Sequence, residues 1–463
     1  MISKSGERLP PRAVYFACCA LVACAAACGS DAQSSGGGGG GGKPPAGTAG
    51  SVATGAGGSS AGNGAQTSLA GAGTSAGAAN TLGDGGKSAG SAGSGASPSA
   101  GAGGGSAGTS SAAAGSAGSA TTAGGSGVAP SCATSGSGRT DCGANNDESC
   151  CTSLPVSGGT YSRTYTNSGS GATGKADSAT LSTFRLDKYE TTVARFREYV
   201  KYLENGGSPP AAGSGKHTHL NSGKGLADSG KSGSFEPGWD TSWNSKIPSG
   251  AGATAKWKTN LTSSSGTGGC KLYGTWTDTP GKNELLPITC TSWYESYAFC
   301  IWDGGFLPSE AEWKYAAAGG DEQREYPWGT TAPGTNNEYA IYDCCYPSGK
   351  CSATSGSDTC TGLVNVAPVG FAKKGVGRYG QFDLIGSVWE WNLDRYANYV
   401  NPCTDCAYLT GSTANRVLPG AGFHSGASLG STIMYSYNRT SVSYNADTYR
   451  GDYAVGLRCA RSP

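Results

Sequence analysis

Apolar positions divide this chain sharply. A short run from Ala13 to Ala23 is almost wholly apolar. Residues 29–131 are nearly all Gly, Ala, Ser and Thr and show no apolar period. Helical periodicity begins only beyond residue 160. Thr192 can cap a helix whose apolar stripe is Val193, Phe196, Val200 and Leu203, ending at Asn205-Gly206. Ser292 with Glu295 forms a capping box ahead of Trp293, Tyr297, Cys300 and Ile301. Ser309 with Glu312 forms another, starting a short helix that stops at Gly319-Gly320. Elsewhere Gly, Ser, Asn, Tyr and Trp surround short β-like runs. The pattern predicts an α+β domain with much irregular structure, stabilised by aromatic packing and disulfides.

Composition sets the domain limits. No aromatic residue falls between Phe16 and Tyr161, and all ten tryptophans lie between Trp239 and Trp391. A core can be built only from the C-terminal part, which is long enough for one full domain. Residues 29–131 cannot bury enough apolar area to offset the entropy of ordering them, so they are expected to be a disordered stalk. Residues 132–160, with Cys132, Cys142, Cys150 and Cys151, read as a disulfide-tied collar. A zinc site is the alternative there, but the spacing does not resemble a zinc knuckle and no histidine is near. The domain proper is expected over residues 161–463.

The N-terminus reads as an export signal of residues 1–28. Lys4, Arg8 and Arg12 precede the apolar run, which has signal-peptide length and is short for a membrane span. Leu21-Val22-Ala23-Cys24 resembles a bacterial lipobox, so Cys24 is the expected lipidation site and Cys28 the alternative. An anchor at either cysteine makes the membrane a partner. Fourteen of the eighteen cysteines lie beyond residue 130, as in an exported chain that pairs most of them. The adjacent pairs Cys150-Cys151 and Cys344-Cys345 are expected to bond to different partners. Cys403-x-x-Cys406 is expected to be a structural disulfide rather than a redox pair. Net charge is +1 with scattered Lys and Arg, which excludes a nucleic-acid surface. Of the three histidines, His217 and His219 sit in a Gly/Ser-rich loop and are expected to be solvated.

Several blocks, in order, resemble the formylglycine-generating enzyme (sulfatase-modifying factor) family. They are Phe184 to Thr192, Leu286 to Glu295, Trp302-Asp303-Gly304-Gly305-Phe306-Leu307-Pro308-Ser309-Glu310-Ala311-Glu312-Trp313, Tyr326-Pro327-Trp328-Gly329, Tyr379 to Trp391, and Val455-Gly456-Leu457-Arg458-Cys459-Ala460-Arg461. The resemblance implies a fold related to C-type lectin-like domains. It also implies an oxidase that converts a sulfatase cysteine to formylglycine with copper held by two thiolates. Here those two positions fall on Ser425 and Gly430, and residues 407–458 contain no cysteine, so copper chemistry is not expected. The same resemblance implies a calcium site at Asp383, Gly386, Val388 and Glu390, with hard oxygen ligands. It implies loss of a second calcium site, whose Asn falls on Ile341, and a disulfide between Cys300 and Cys459. The expected function is therefore non-catalytic binding of a peptide, protein or glycan. Tyr435, Tyr437, Asn438, Arg439, Tyr444 and Asn445 are the candidate contacts, because Tyr and Asn give amphipathic contact area at low entropic cost. The alternative is a formylglycine-generating oxidase with altered cofactor ligands.

Overall fold

The computed structural model describes residues 127–262, 270–349, 360–411, 413–426, 431–439, 447–450 and 454–463. Its strands are β1 Ser153–Val156, β2 Gly159–Asn167, β3 Ala172–Leu181, β4 Phe184–Asp187, β5 Ala227–Asp228, β6 Trp389–Glu390, β7 Cys403–Thr404, β8 Cys406–Ala407, β9 Val455–Gly456 and β10 Ala460–Arg461. Its helices are α1 Val193–Glu204, α2 Ala253–Leu261, α3 Cys270–Tyr273, α4 Trp293–Trp302 and α5 Glu310–Ala317. Long loops and single 3-10 turns join them. The fold is α+β with little regular structure. No helix of the described residues is long and apolar enough to cross a membrane.

The three capped helices form for local reasons. Thr192 Oγ1 accepts the Arg195 N–H at 3.2 Å, and the stripe of α1 is buried. Glu295 accepts the Ser292 N–H at 2.9 Å, and Glu312 accepts the Ser309 N–H at 2.8 Å, so both boxes are reciprocal. Helix α2 has no such signal. It buries only Ala253, Trp257 and Leu261, and Gly252 before it offers no side-chain cap.

Sheet pairing joins distant parts of the chain. β4 lies between β1 and β10, with Leu186 opposite Leu154 on one side and Ala460 on the other. This register brings Cys459 to α4, where it bonds to Cys300 with an S–S distance of 2.04 Å. β2 and β3 form a long antiparallel hairpin. β2 turns Tyr161, Arg163, Tyr165 and Asn167 inward, an alternation that its Gly/Ser/Thr neighbours hide in the sequence.

The segment 132–160 is not a collar outside the domain. β1 and the first residues of β2 lie within it and pair with β4 and β3. Upstream, Ser131 and Cys150 help to hold a fully buried arginine. Arg195 donates to Ser131 Oγ (3.1 Å), the Cys150 carbonyl (3.1 Å), Asp187 (2.9 Å) and Asp303 (2.7 Å). Arg461 on β10 reaches the same two carboxylates. Composition predicts a disulfide-tied entry to the domain; hydrogen bonding to one central guanidinium makes it part of the core.

Every described cysteine is in a disulfide. The adjacent cysteines diverge: Cys150 bonds Cys142, Cys151 bonds Cys132, and Cys344 bonds Cys360. Cys403 bonds Cys406, joining β7 on the hairpin sheet to β8, which pairs with β5.

Candidate functional site

The turn that leads into β6 gathers carboxylates. Asp383, Gly386 and Ser387 have φ of +57°, +88° and +61°, so the backbone coils tightly before Trp389. Asp383 accepts the Gly370 N–H at 2.5 Å. Glu390 accepts from Trp313 Nε1 (2.7 Å) and from Arg458 Nη2 (2.9 Å). Glu190 accepts from Ser387 Oγ (2.9 Å) and the Val388 N–H (3.1 Å). These three buried carboxylates face one buried guanidinium, Arg458. Burial, and then the charges of Asp383 and Glu390, push the Glu190 acid well above the usual carboxylate range. Burial also pushes Asp383 up to about 6, against the opposing pull of the Gly370 N–H and Arg458. An excess of buried anionic oxygen suits a hard cation. Among the described residues no group of three or more His, Cys, Asp or Glu side chains is placed to hold a metal, so an ion here needs the Gly386 and Val388 carbonyls as well. Glu190, just ahead of the α1 cap, was not recognised as part of this turn. It is 197 residues from Ser387 in sequence and the fold brings it near.

The loop before Ser425 runs back across this turn. The Gly386 N–H donates to the Gly420 carbonyl (2.8 Å), and the Phe423 N–H to the Ser387 carbonyl (2.6 Å). Ser425 is buried, and its Oγ accepts the Gly422 N–H at 2.9 Å. His424 is buried beside Tyr273, their rings 5.9 Å apart, and burial lowers its acid to about 4. Gly430 lies outside the described residues, as do Tyr444, Asn445, Cys24 and Cys28.

The sulfatase-modifying factor enzyme 1-like family matches residues 139–463. The chain belongs to that family. Sequence relatives include the formylglycine-generating enzyme of Mus musculus, 36% identical over 110 residues, or 23% of this chain and 27% of the relative. They also include the inactive C-alpha-formylglycine-generating enzyme 2 of Bos taurus, 35% identical over 119 residues, or 25% of this chain and 36% of the relative. The chain thus aligns with roughly a third or less of these proteins. Among solved structures, Treponema denticola variable protein 1 aligns with 67% of this chain and 95% of its own at 16% identity and a TM-score of 0.37. PvdO from Pseudomonas aeruginosa aligns with 67% and 94% at 16% identity and a TM-score of 0.37.

Within this sulfatase-modifying-factor domain, the expected ligand surface is partly internal. Tyr435 and Tyr437 stack at 4.9 Å and extend an aromatic row through Tyr326 to Trp328, and through Tyr437 to Tyr165. Asn438 caps its own turn through the Tyr435 carbonyl. Arg439, expected as a ligand contact, is engaged within the domain. Its guanidinium makes two bonds to the buried Glu310 (2.6 and 2.9 Å) and lies 4.2 Å from the centre of the Tyr399 ring. A buried carboxylate at the start of α5 needs a cation more than a ligand does. Lys314 lies beneath the row, bonded to Tyr399 Oη and the Tyr437 carbonyl, both at 3.2 Å. Burial lowers its acid to about 8, with Glu310 opposing.

His217 is a correction. It is fully buried rather than solvated, with Nδ1 3.0 Å from Glu236 and Nε2 3.1 Å from Glu312. Burial by itself would lower its acid, but the two carboxylates outweigh burial and raise it to about 10. Glu312 reaches it because the second capping box aims that side chain back past Ser309, a consequence the loop composition around His217 could not reveal.

Proposed function

We propose that this protein is an exported, membrane-tethered binding module of the family rather than a copper oxidase. One observation carries the reading. The first copper position is Ser425, whose hydroxyl is used within its own turn, and none of the described cysteines is a free thiol. A pair of thiolates is what copper in this family would need. The disulfides support an oxidising compartment outside the cytosol, and a long stalk behind a lipid at Cys24 or Cys28 widens the volume searched by a tethered binder. The half-buried rings of Trp328, Tyr435 and Tyr437 supply amphipathic contact area for a peptide, protein or glycan. Asp383, Glu390 and the carbonyls of Gly386 and Val388 would hold calcium, which would neutralise the carboxylate excess and brace the turn beneath Trp389.

The test is direct. The purified disulfide-bonded protein is incubated with copper and a sulfatase-type cysteine peptide, and aldehyde is sought by mass spectrometry. No aldehyde above the copper-only blank is expected. Turnover that persists at catalytic protein concentration would refute the non-catalytic reading and favour an oxidase with altered ligands.

A further inference from the structure

The two sulfurs of the Cys403–Cys406 bridge have different surroundings. Cys403 on β7 and Cys406 on β8 are both buried, 2% and 4% exposed. Cys403 is one of the residues lining an open hollow of about 400 Å³, with Ser178, Thr180, Asn401, Pro402 and Thr404. Cys406 instead lines a small cavity that it shares with Arg163. Arg163 is 5% exposed, and its Nη1 lies 3.9 Å from Cys406 Sγ. Its other donors go to the carbonyls of Asp177 (3.0 Å) and Val400 (2.9 Å) and to Asn401 Oδ1 (2.9 Å). Its guanidinium lies 4.4 Å from the centre of the Tyr399 ring. Among the described residues, no carboxylate bonds to this buried cation.

A buried cation bonded to no anion favours whatever places a negative charge beside it. Breaking the bridge does so, because the electron pair of the S–S bond can leave on Cys406 as a thiolate next to Arg163. A cationic neighbour lowers a thiol's pKa, and a thiol of lower pKa is the better leaving group. The bond also constrains the chain little. Its sequence separation is 3, against 8 to 159 for the other described bridges, and a short loop removes the least entropy from the unfolded chain. The strands at each end keep their own partners, β7 on β3 and β8 on β5. Between them the Asp405 N–H donates to the Thr180 carbonyl (2.9 Å), and the Asp405 carboxylate accepts from the Ser182 N–H (2.7 Å) and Oγ (2.8 Å). Opening therefore leaves both sulfurs in position to close again.

We propose that Cys403–Cys406 is a thiol–disulfide exchange site whose reductant is a dithiol, against the purely structural role expected from sequence. A thiolate of the dithiol enters through the hollow and attacks Cys403 Sγ. The Cys403–Cys406 bond breaks, Cys406 leaves as a thiolate paired with Arg163, and a mixed disulfide forms on Cys403. The reductant's second thiolate then attacks the reductant's own sulfur in that mixed disulfide. Cys403 leaves and takes a proton from water, and the reductant departs as its disulfide. The dithiol is oxidised and the bridge reduced. This chemistry is independent of the binding reading and of the Ser425 position.

Dithiothreitol is the probe. The disulfide-bonded protein is held in native buffer at graded dithiothreitol, quenched with acid, alkylated and mapped by mass spectrometry. Cys403 and Cys406 are expected to label together and before any other described pair, with the far-ultraviolet circular dichroism kept. Glutathione, a monothiol, should be caught on Cys403 and not on Cys406. A folded Arg163→Gln should be reduced about tenfold more slowly, and Arg163→Lys, which keeps the charge, should recover most of the rate. Should Arg163→Gln misfold, the reduced wild type decides: its ultraviolet thiolate absorbance should show one thiol titrating well below the ordinary value of about 8.5. A pair that stays closed or opens after another bridge would overturn the proposal. So would glutathione on Cys406, a folded Arg163→Gln as fast as wild type, or two thiols that both titrate at the ordinary value.

Discussion

His217 offers the sharpest test of the structure, because the sequence alone points the other way. A histidine in a solvated Gly/Ser loop would titrate near 6.5 and contribute nothing to stability. In the fold its ring is sealed between Glu236 and Glu312, and its acid lies near 10. The folded value exceeds the unfolded one, so the proton stabilises the fold fully below pH 6.5. That contribution falls steadily as pH rises to about 10 and is absent above it. The interval corresponds to about 4–5 kcal/mol at low pH, with roughly half remaining near pH 8. The chain has only three histidines, which makes the measurement clean. Burial lowers the acids of His219 and His424, the latter to about 4. Nitrogen-15 spectra of the ring nitrogens should therefore show one imidazolium, and only one, from pH 7.5 to 9. Urea unfolding of His217→Gln with disulfides intact should show a deficit against wild type that shrinks between pH 6.5 and 9.5. Three histidines all neutral at pH 8, or a deficit that does not change with pH, would refute the buried imidazolium.

Two further outcomes follow from the core. Arg195→Met leaves Asp187 and Asp303 with Arg461 as their one cation among the described residues, and should cost about 3–5 kcal/mol in chemical denaturation. A loss below about 1 kcal/mol would mean that the carboxylates are solvated. Ser292→Ala removes one half of the capping box on α4 and should cost about 1 kcal/mol. Ser292→Thr, which retains the oxygen, should recover most of it.

Much of the fold was legible where the signal is local. Thr192, Ser292 and Ser309 mark helix starts because a cap is chemistry between residues three apart, and the apolar stripe of α1 shows which face is buried. The hairpin β2–β3 was not legible: its inward residues include Arg163 and Asn167, which break the apolar alternation that announces a strand. The N-terminal extent of the domain is hidden in the sequence for a related reason. Backbone pairing of β1 with β4 leaves no mark in a Gly/Ser-rich stretch, and Ser131 reads as spacer until Arg195 is seen to need it.

The candidate site divides in the same way. The resemblance alone carries the expectation that Ser425 stands where the family has a copper thiolate, because the identity of a ligand is read from the sequence. The sequence also determined the family blocks and the carboxylates Asp383 and Glu390. Only the tertiary structure decided where charge is left over. Glu190 joins that turn, Arg439 is bound to Glu310, His217 is sealed between two carboxylates, and among the described residues Asp343 lies buried without a donor. Charge balance inside a protein depends on which distant groups share a low-dielectric volume, and no spacing along the chain encodes that.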